Sequence, residues 1–406
     1  MTYSGVTSDQ KTTATLLKTC VTCSSTGSLH TARPNAPKAD GLLSMVYYLN
    51  WAVYGRNFLP ENIGNPERFT HILYGFAKKD TDGTVSLSDP YADLEKSCGK
   101  SDGTGGCIAA SQELKKGNSK LKTLLSIGGW GYFQAGRFGV ASTSARREKS
   151  AESAVALAEQ HQFDGIDIDW EYPQDDIAGE NFLELLRVTR TSLDASSIST
   201  PLMTVAISPN AERYSHLKIK EMDGVLDYWL LMGYDYSGSF NKTTAHSANV
   251  YPSTSNPLAT PFNTHEGLEA YMKSGVPSNK IILGMPLYGH DFVGTDGLGQ
   301  PFSTASLGSW PDPADKGPTG VWDYKALAAK LANTTQMDKE VIASWSYDNI
   351  THTLVSYDNQ DVAELKGQYI VDQGLGGAMW WEISGDEESD GGLSLVDATL
   401  KAFGSE

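Results

Sequence analysis

The decapeptide DGIDIDWEYP, residues 164 to 173, places carboxylates at Asp167, Asp169 and Glu171 within a run otherwise suited to a β-strand. Strand side chains alternate faces with period two, so these three share one face while Ile166, Ile168 and Trp170 share the other. Carboxylates crowded on a face removed from water cannot all stay ionised, because like charge and desolvation both penalise the anion. A shared proton inventory follows, with Glu171 held protonated near neutrality as a general acid and Asp169 and Asp167 adjusting protons behind it. Asp164 has the opposite parity and is assigned to the strand entrance. Two other readings compete, a divalent-cation site and an ordinary solvent-facing strand. Glu171 and Tyr172 stand where the EF-hand loop requires an Asp or Asn and a Gly, so no metal is assigned. A solvated acidic face suits an antiparallel sheet better than a parallel strand covered by helices, which leaves acid catalysis as the preferred reading.

Such a strand needs a scaffold that delivers its end to a cleft. Eight short apolar runs recur along the chain, at 42–51, 69–77, 121–130, 163–172, 201–208, 226–235, 280–289 and 375–384. Most lack clean alternation, as parallel strands buried on both faces do. Helical stripes lie between them: Ala151, Ala154, Val155 and Ala158 in one segment, Phe182, Leu185, Leu186 and Leu193 in the next. Eight strands alternating with helices predict an α/β fold, a (β/α)8 TIM barrel with active-site residues at the C-terminal ends of its strands. No GxGxxG follows the first run, so dinucleotide binding is not indicated. The stretch from 290 to 374 is too long for one helix, and 292–355 is read as a small α+β insertion between strand seven and the last helix. The barrel is then assigned to 41–291 and 356–404. Residues 1–40, polar and rich in Ser and Thr, are read as a leader or linker.

The chain of 406 residues carries 49 acidic against 32 basic side chains, a formal charge of -17. That balance repels nucleic acid and anionic membranes, so neither is expected as a partner, and no run approaches the length of a membrane helix. Cys20 and Cys23 form CVTC without a second ligand pair at zinc spacing, and Cys98 and Cys107 are placed to close a short loop as a disulfide. Sequons at Asn241, Asn333 and Asn349 lean, like that cysteine pair, toward an extracellular protein, although the first residues lack the pattern of a secretory signal.

The run Asp164, Asp167, Asp169, Glu171 matches DxxDxDxE, and SIGG at 126–129, MGYD at 232–235, GMPLYG at 284–289 and GGAMWW at 376–381 follow in order. In these motifs the chain resembles the chitinases of glycoside hydrolase family 18, over about 42 to 404, in the fungal and bacterial form with the α+β insertion. The resemblance implies retaining hydrolysis in which the substrate's 2-acetamido group is the nucleophile. It implies Glu171 as the acid, Asp169 as partner of the acetamido N–H, Asp167 as the residue sharing a proton with Asp169, and Tyr234 as a contact of the acetamido oxygen. Substrate contacts implied with them are Trp381 as a floor, Asp235, Met232 and Tyr288 lining the subsite, and Tyr47, Phe76 and Ser126 beside the acidic strand. Trp130 and Trp51 suit the flat C–H faces of sugars, while Trp170 and Trp380 are assigned to the core. Chitin and chito-oligosaccharides are the expected partners of a monomer without cofactors, cutting most often within the chain. A chitin lectin on the same scaffold would lack Glu171. An endo-β-N-acetylglucosaminidase acting on N-glycans is the remaining alternative. One departure from the motif is His290, where close relatives carry an Arg.

Overall fold

The computed structural model describes residues 41–99, 105–134, 141–310, 319–331, 333–387, 392 and 394–404. The polar segment 1–40, with its CVTC motif, lies outside the described residues. Fourteen strands occur among those described: β1 Leu43–Leu49, β2 His71–Lys79, β3 Val85–Leu87, β4 Lys122–Gly128, β5 Gly165–Asp169, β6 Leu202–Ile207, β7 Tyr228–Met232, β8 Ile281–Pro286, β9 Tyr288–Val293, β10 Val321–Asp323, β11 Thr335–Asp338, β12 Ala343–Asp348, β13 Thr353–Tyr357 and β14 Gly377–Trp381.

Eight of these pair in parallel in the order β1, β14, β8, β7, β6, β5, β4, β2, and pairing of β1 with β2 closes the ring. The expected (β/α)8 barrel is therefore present, with each of the eight predicted apolar runs supplying one of its strands. Beyond them β3, which the apolar pattern does not announce, pairs antiparallel with the end of β2. Cys98 and Cys107 form a disulfide in the segment that follows.

Two cores fill the barrel wall's two faces. Met45, Tyr47, Leu73, Leu124, Leu230, Met232 and Met379 pack inside the ring. Ile166, Ile168 and Trp170 join the outer core between strands and helices. Trp170 lies 5.2 Å from Phe182. Phe182 belongs to the helix Asp176–Asp194, whose buried stripe includes Leu185, Leu186 and Leu193. That helix starts where the Asp175 carboxylate accepts from the Ala178 N–H, meeting one of the donors a first turn leaves without a partner. The parity inferred for β5 thus holds, since the apolar half of the strand faces the helices and Asp167 and Asp169 face inward. Asp164, at the entrance, lies 2.6 Å from Lys115 and 3.0 Å from Lys122.

A second, antiparallel sheet runs in the order β10, β9, β13, β12, β11 and carries the helix Tyr324–Leu331. Its strands lie within 288–357 and so bracket the stretch 292–355 read above as an α+β insertion. The predicted run 280–289 is divided between the sheets: β8 ends at Pro286 and β9 opens the insertion at Tyr288. The chain therefore leaves the barrel mouth carrying Tyr288 and His290 on the first strand of the second sheet.

Candidate active site

Asp167 occupies the middle of β5, opposite Ser126 on β4 and Thr204 on β6. In-register neighbours on parallel strands project to the same face, so both hydroxyls reach the carboxylate. Ser126 Oγ donates to Asp167 Oδ2 at 2.6 Å and Thr204 Oγ1 donates to Oδ1 at 2.6 Å. Tyr47, from β1 across the barrel, donates its hydroxyl to Oδ2 at 2.7 Å. Burial pushes Asp167 upward, opposed by these three donors, which favour the anion.

Asp169, two residues nearer the mouth, has different company. Its Oδ1 is buried with no hydrogen-bond partner, and its acidity is suppressed by burial first and then by the charges of Glu171 and Asp167. Burial likewise raises Glu171 to about 7, despite hydrogen bonding from Tyr172 and the Trp130 backbone. The column is thus graded. Its innermost carboxylate is held by hydroxyls, its middle one is unsatisfied, and its outermost one is poised to exchange a proton near neutrality.

Around this column the strand ends supply aromatic walls. Trp381, at the end of β14, stacks on Phe76 at 5.8 Å and meets the edge of Tyr47 at 5.0 Å. Trp51, 43% exposed, lies 6.0 Å from Phe76 and extends this aromatic series outward. Trp130 opens the short helix Trp130–Gln134 with its ring 54% exposed. Tyr234 is buried, with its ring 6.2 Å from that of Tyr288, and Met232 belongs to the inner core beside them. Asp235 adopts φ of 59°, a left-handed conformation that Asp tolerates better than bulky residues. Its Oδ1 accepts from the Tyr288 hydroxyl at 2.7 Å and lies 2.8 Å from His290 Nε2.

The structure therefore gathers the sequence candidates into one constellation but gives them different positions. Tyr47 and Ser126 are fully buried and hold Asp167. Trp51 and Trp130 are exposed on the cleft. Sequence reasoning missed Thr204, because the register between β5 and β6 is set by barrel closure and leaves no local mark. It also missed a charged node beside Trp381. There Arg56 Nη1 lies 2.8 Å from Asp323 Oδ1, 3.0 Å from Glu382 Oε1 and 3.0 Å from Ser384 Oγ. Its guanidinium stands 5.2 Å over the Trp310 ring, whose Nε1 donates to Asp323. This node walls a pocket of about 220 Å³ that Trp381, Tyr288, His290, Asp235 and Phe240 also line. The only sequence signal was Arg56 within YGRNF; Asp323 and Trp310 follow no spacing rule.

A proton-exchanging carboxylate at a barrel mouth, an unsatisfied carboxylate behind it and an aromatic cleft are the parts of a glycosidase rather than of a metal or nucleotide enzyme. Comparison with known proteins agrees. The sequence profile of Glycosyl hydrolases family 18 matches residues 44–386. Chitinase 1 of Aphanocladium album is 39% identical over 383 residues, covering 91% of this chain and 87% of that protein. Endochitinase 1 of Metarhizium robertsii is 39% identical over 380 residues, covering 90% and 86%. Among solved structures, a chitinase from Bacillus thuringiensis superposes with a TM-score of 0.82 at 29% identity, covering 89% of this chain and 70% of that one. From the graded carboxylates and these matches together, the chain belongs to glycosyl hydrolase family 18 and is a glycoside hydrolase.

Proposed function

We propose that the protein is a chitinase that hydrolyses β-1,4 bonds between N-acetylglucosamine units, chiefly within the chain, by a substrate-assisted retaining mechanism. Glu171 donates its proton to the glycosidic oxygen as the bond to C1 breaks. The carbonyl oxygen of the 2-acetamido group attacks C1 from the opposite side and closes an oxazolinium ring. Asp169 accepts the acetamido N–H and stabilises the positive charge that develops, and the Tyr234 hydroxyl orients the acetamido oxygen. Water then opens the ring while the Glu171 carboxylate takes its proton, so the anomeric configuration is retained.

The observation that carries this reading is the buried, unpartnered Oδ1 of Asp169. An acceptor stripped of water and left unsatisfied costs free energy in the resting enzyme, and a substrate N–H placed there removes that cost. The Asp167 carboxylate, held by Tyr47, Ser126 and Thr204, sits where it can share a proton with Asp169. Trp381 is the floor of the subsite that holds the reacting sugar, with Asp235, Met232, Tyr288 and Phe76 around it. Trp51 and Trp130 carry sugars on either side. The same reading makes the protein an extracellular monomer, consistent with its Cys98–Cys107 disulfide.

Product analysis on colloidal chitin, chito-oligosaccharides and a high-mannose glycopeptide tests this, with wild type beside Glu171→Gln. The expected products are chito-oligosaccharides formed initially as the β-anomer. Release of an intact N-glycan without chitin cleavage, or full activity of Glu171→Gln, overturns the proposal.

A further inference from the structure

Three sequons remain outside this function, and the register of the insertion sheet separates them. Thr335 on β11 pairs with Ser346 on β12, and Asp348 at the end of β12 pairs with Thr353 on β13. Stepping outward from those pairs, Asn333, just before β11, and Asn349, in the turn after β12, fall at the same rim of the sheet. Both asparagines are exposed. On the neighbouring strand the register runs from Thr353 opposite Val293 to Ser356 opposite His290, so roughly 10 Å of strand separates this rim from the cleft residue.

The turn at Asn349 is fixed by its own residues. Asp348 Oδ1 accepts from the Ile350 N–H at 2.8 Å, and Asp348 Oδ2 accepts from the Thr351 hydroxyl at 2.8 Å. That geometry leaves Ile350 87% exposed, the most exposed large apolar side chain among the described residues. Asn241 is placed differently. It is half-buried, its Oδ1 accepts from the Gly238 N–H at 3.1 Å, and its neighbour Phe240 lines the pocket beside Trp381 and lies 6.4 Å from the His290 ring. A bulky hydrophilic group on Asn241 would stand over the mouth that a polysaccharide must enter, whereas one on the distal rim covers an exposed apolar tip.

We propose that Asn349 and Asn333 carry N-linked oligosaccharides and that Asn241 stays unmodified. This rests on the extracellular reading above, since the modification is made on the secretory route. In the transfer, the asparagine Nδ2 forms a bond to C1 of the first sugar of a lipid-diphosphate oligosaccharide. The bond from C1 to the phosphate oxygen breaks, the lipid diphosphate leaves with that electron pair, and the amide loses one proton. Two glycans at one rim shield the hairpin tip at Ile350 from proteases and leave the cleft open.

The test uses protein recovered from the culture medium of its source, treated with peptide N-glycosidase in 18O-labelled water. That enzyme converts each glycosylated Asn to 18O-labelled Asp, which peptide mass spectrometry locates. The expected result is label at positions 349 and 333, unlabelled Asn241, and loss of one glycan from the intact mass in each of Asn349→Gln and Asn333→Gln, with unchanged cleavage of chito-oligosaccharides. The Asn349→Gln protein should also be nicked sooner within 348–352. Protein present in the medium with Asn349 and Asn333 unlabelled, or with Asn241 labelled, overturns this proposal and leaves secretion standing. Protein found only inside the cells overturns the extracellular reading and this proposal with it.

Discussion

On the barrel axis Asp167 is buried among hydroxyls, Asp169 is buried beside it and Glu171 is half-buried past the strand end, whereas in the wall around the second sheet Asp358 is buried against Lys366 and Asp323 against Arg56. Both regions remove carboxylates from water. In the wall a fixed cation offsets the loss of hydration, and both partners of the Lys366–Asp358 pair are almost inaccessible. On the axis no Lys or Arg stands within salt-bridge distance of the three carboxylates among the described residues, and burial raises all three. A permanent cation beside Glu171 would lock it as an anion, and an anion has no proton to give. Burial raises Asp358 as well, but against the pull of Lys366, so the wall offsets part of a cost that the axis leaves without a cation, as the proposed proton transfer from Glu171 requires.

Substitutions can break this contrast at either end. The largest effect belongs to Glu171→Gln, which should lower kcat by about 10²–10⁴-fold or more, measured on soluble chito-oligosaccharides. The same variant should be more stable than wild type at high pH. Glu171 titrates at about 7 in the fold, above its ordinary value, so the folded protein binds more protons than the unfolded chain between roughly pH 4.5 and 7. Wild-type stability contributed by this group is thus lost as pH rises through that window, and thermal melts at pH 5 and pH 8 should converge in Glu171→Gln. The basic limb of wild-type kcat/KM should fall near pH 7, where the acid loses its proton.

In the wall the order of effects reverses. Lys366→Met strands a buried anion and should cost about 3–5 kcal/mol of unfolding free energy in urea titrations. The folded fraction should keep its kcat. If kcat drops with stability unchanged, the wall pair is not the structural counterpart of the axis. Arg56→Met removes the node joining Asp323, Glu382 and Trp310 beside Trp381, and should raise KM for long oligosaccharides roughly 5- to 30-fold, about 1–2 kcal/mol, with a smaller change in kcat. The smallest effect is expected of His290→Arg. A guanidinium offers Asp235 a planar fork of donors in place of the single ring nitrogen that reaches it now. A two- to threefold change in kcat/KM is the order expected of one partly exposed ion pair. An unchanged kcat/KM and cleavage pattern would show that position 290 has no functional role.

Much of the site was legible because strand alternation is a local rule. The period of two in DGIDIDWEYP assigned Asp167, Asp169 and Glu171 to one face and Ile166, Ile168 and Trp170 to the other without knowledge of any neighbour. The eight apolar runs similarly located every barrel strand. By contrast, the run 280–289 gave no sign that Leu287 divides two sheets, since apolar content is the same on both sides. The ordered motifs supplied the family, and with it implied roles for Tyr234, Asp235 and Trp381 that spacing alone does not give.

By itself, then, the sequence determined the parity of the acidic strand and the count of barrel strands, and it singled out Glu171 as the candidate acid. Only the tertiary structure decided how the three carboxylates differ. Ser126, Thr204 and Tyr47 come from three other strands to satisfy Asp167, while nothing arrives for Asp169 Oδ1. Those partners are set by the register of strands far apart in the chain. Register is fixed when the ring closes and leaves no periodic trace in any one strand.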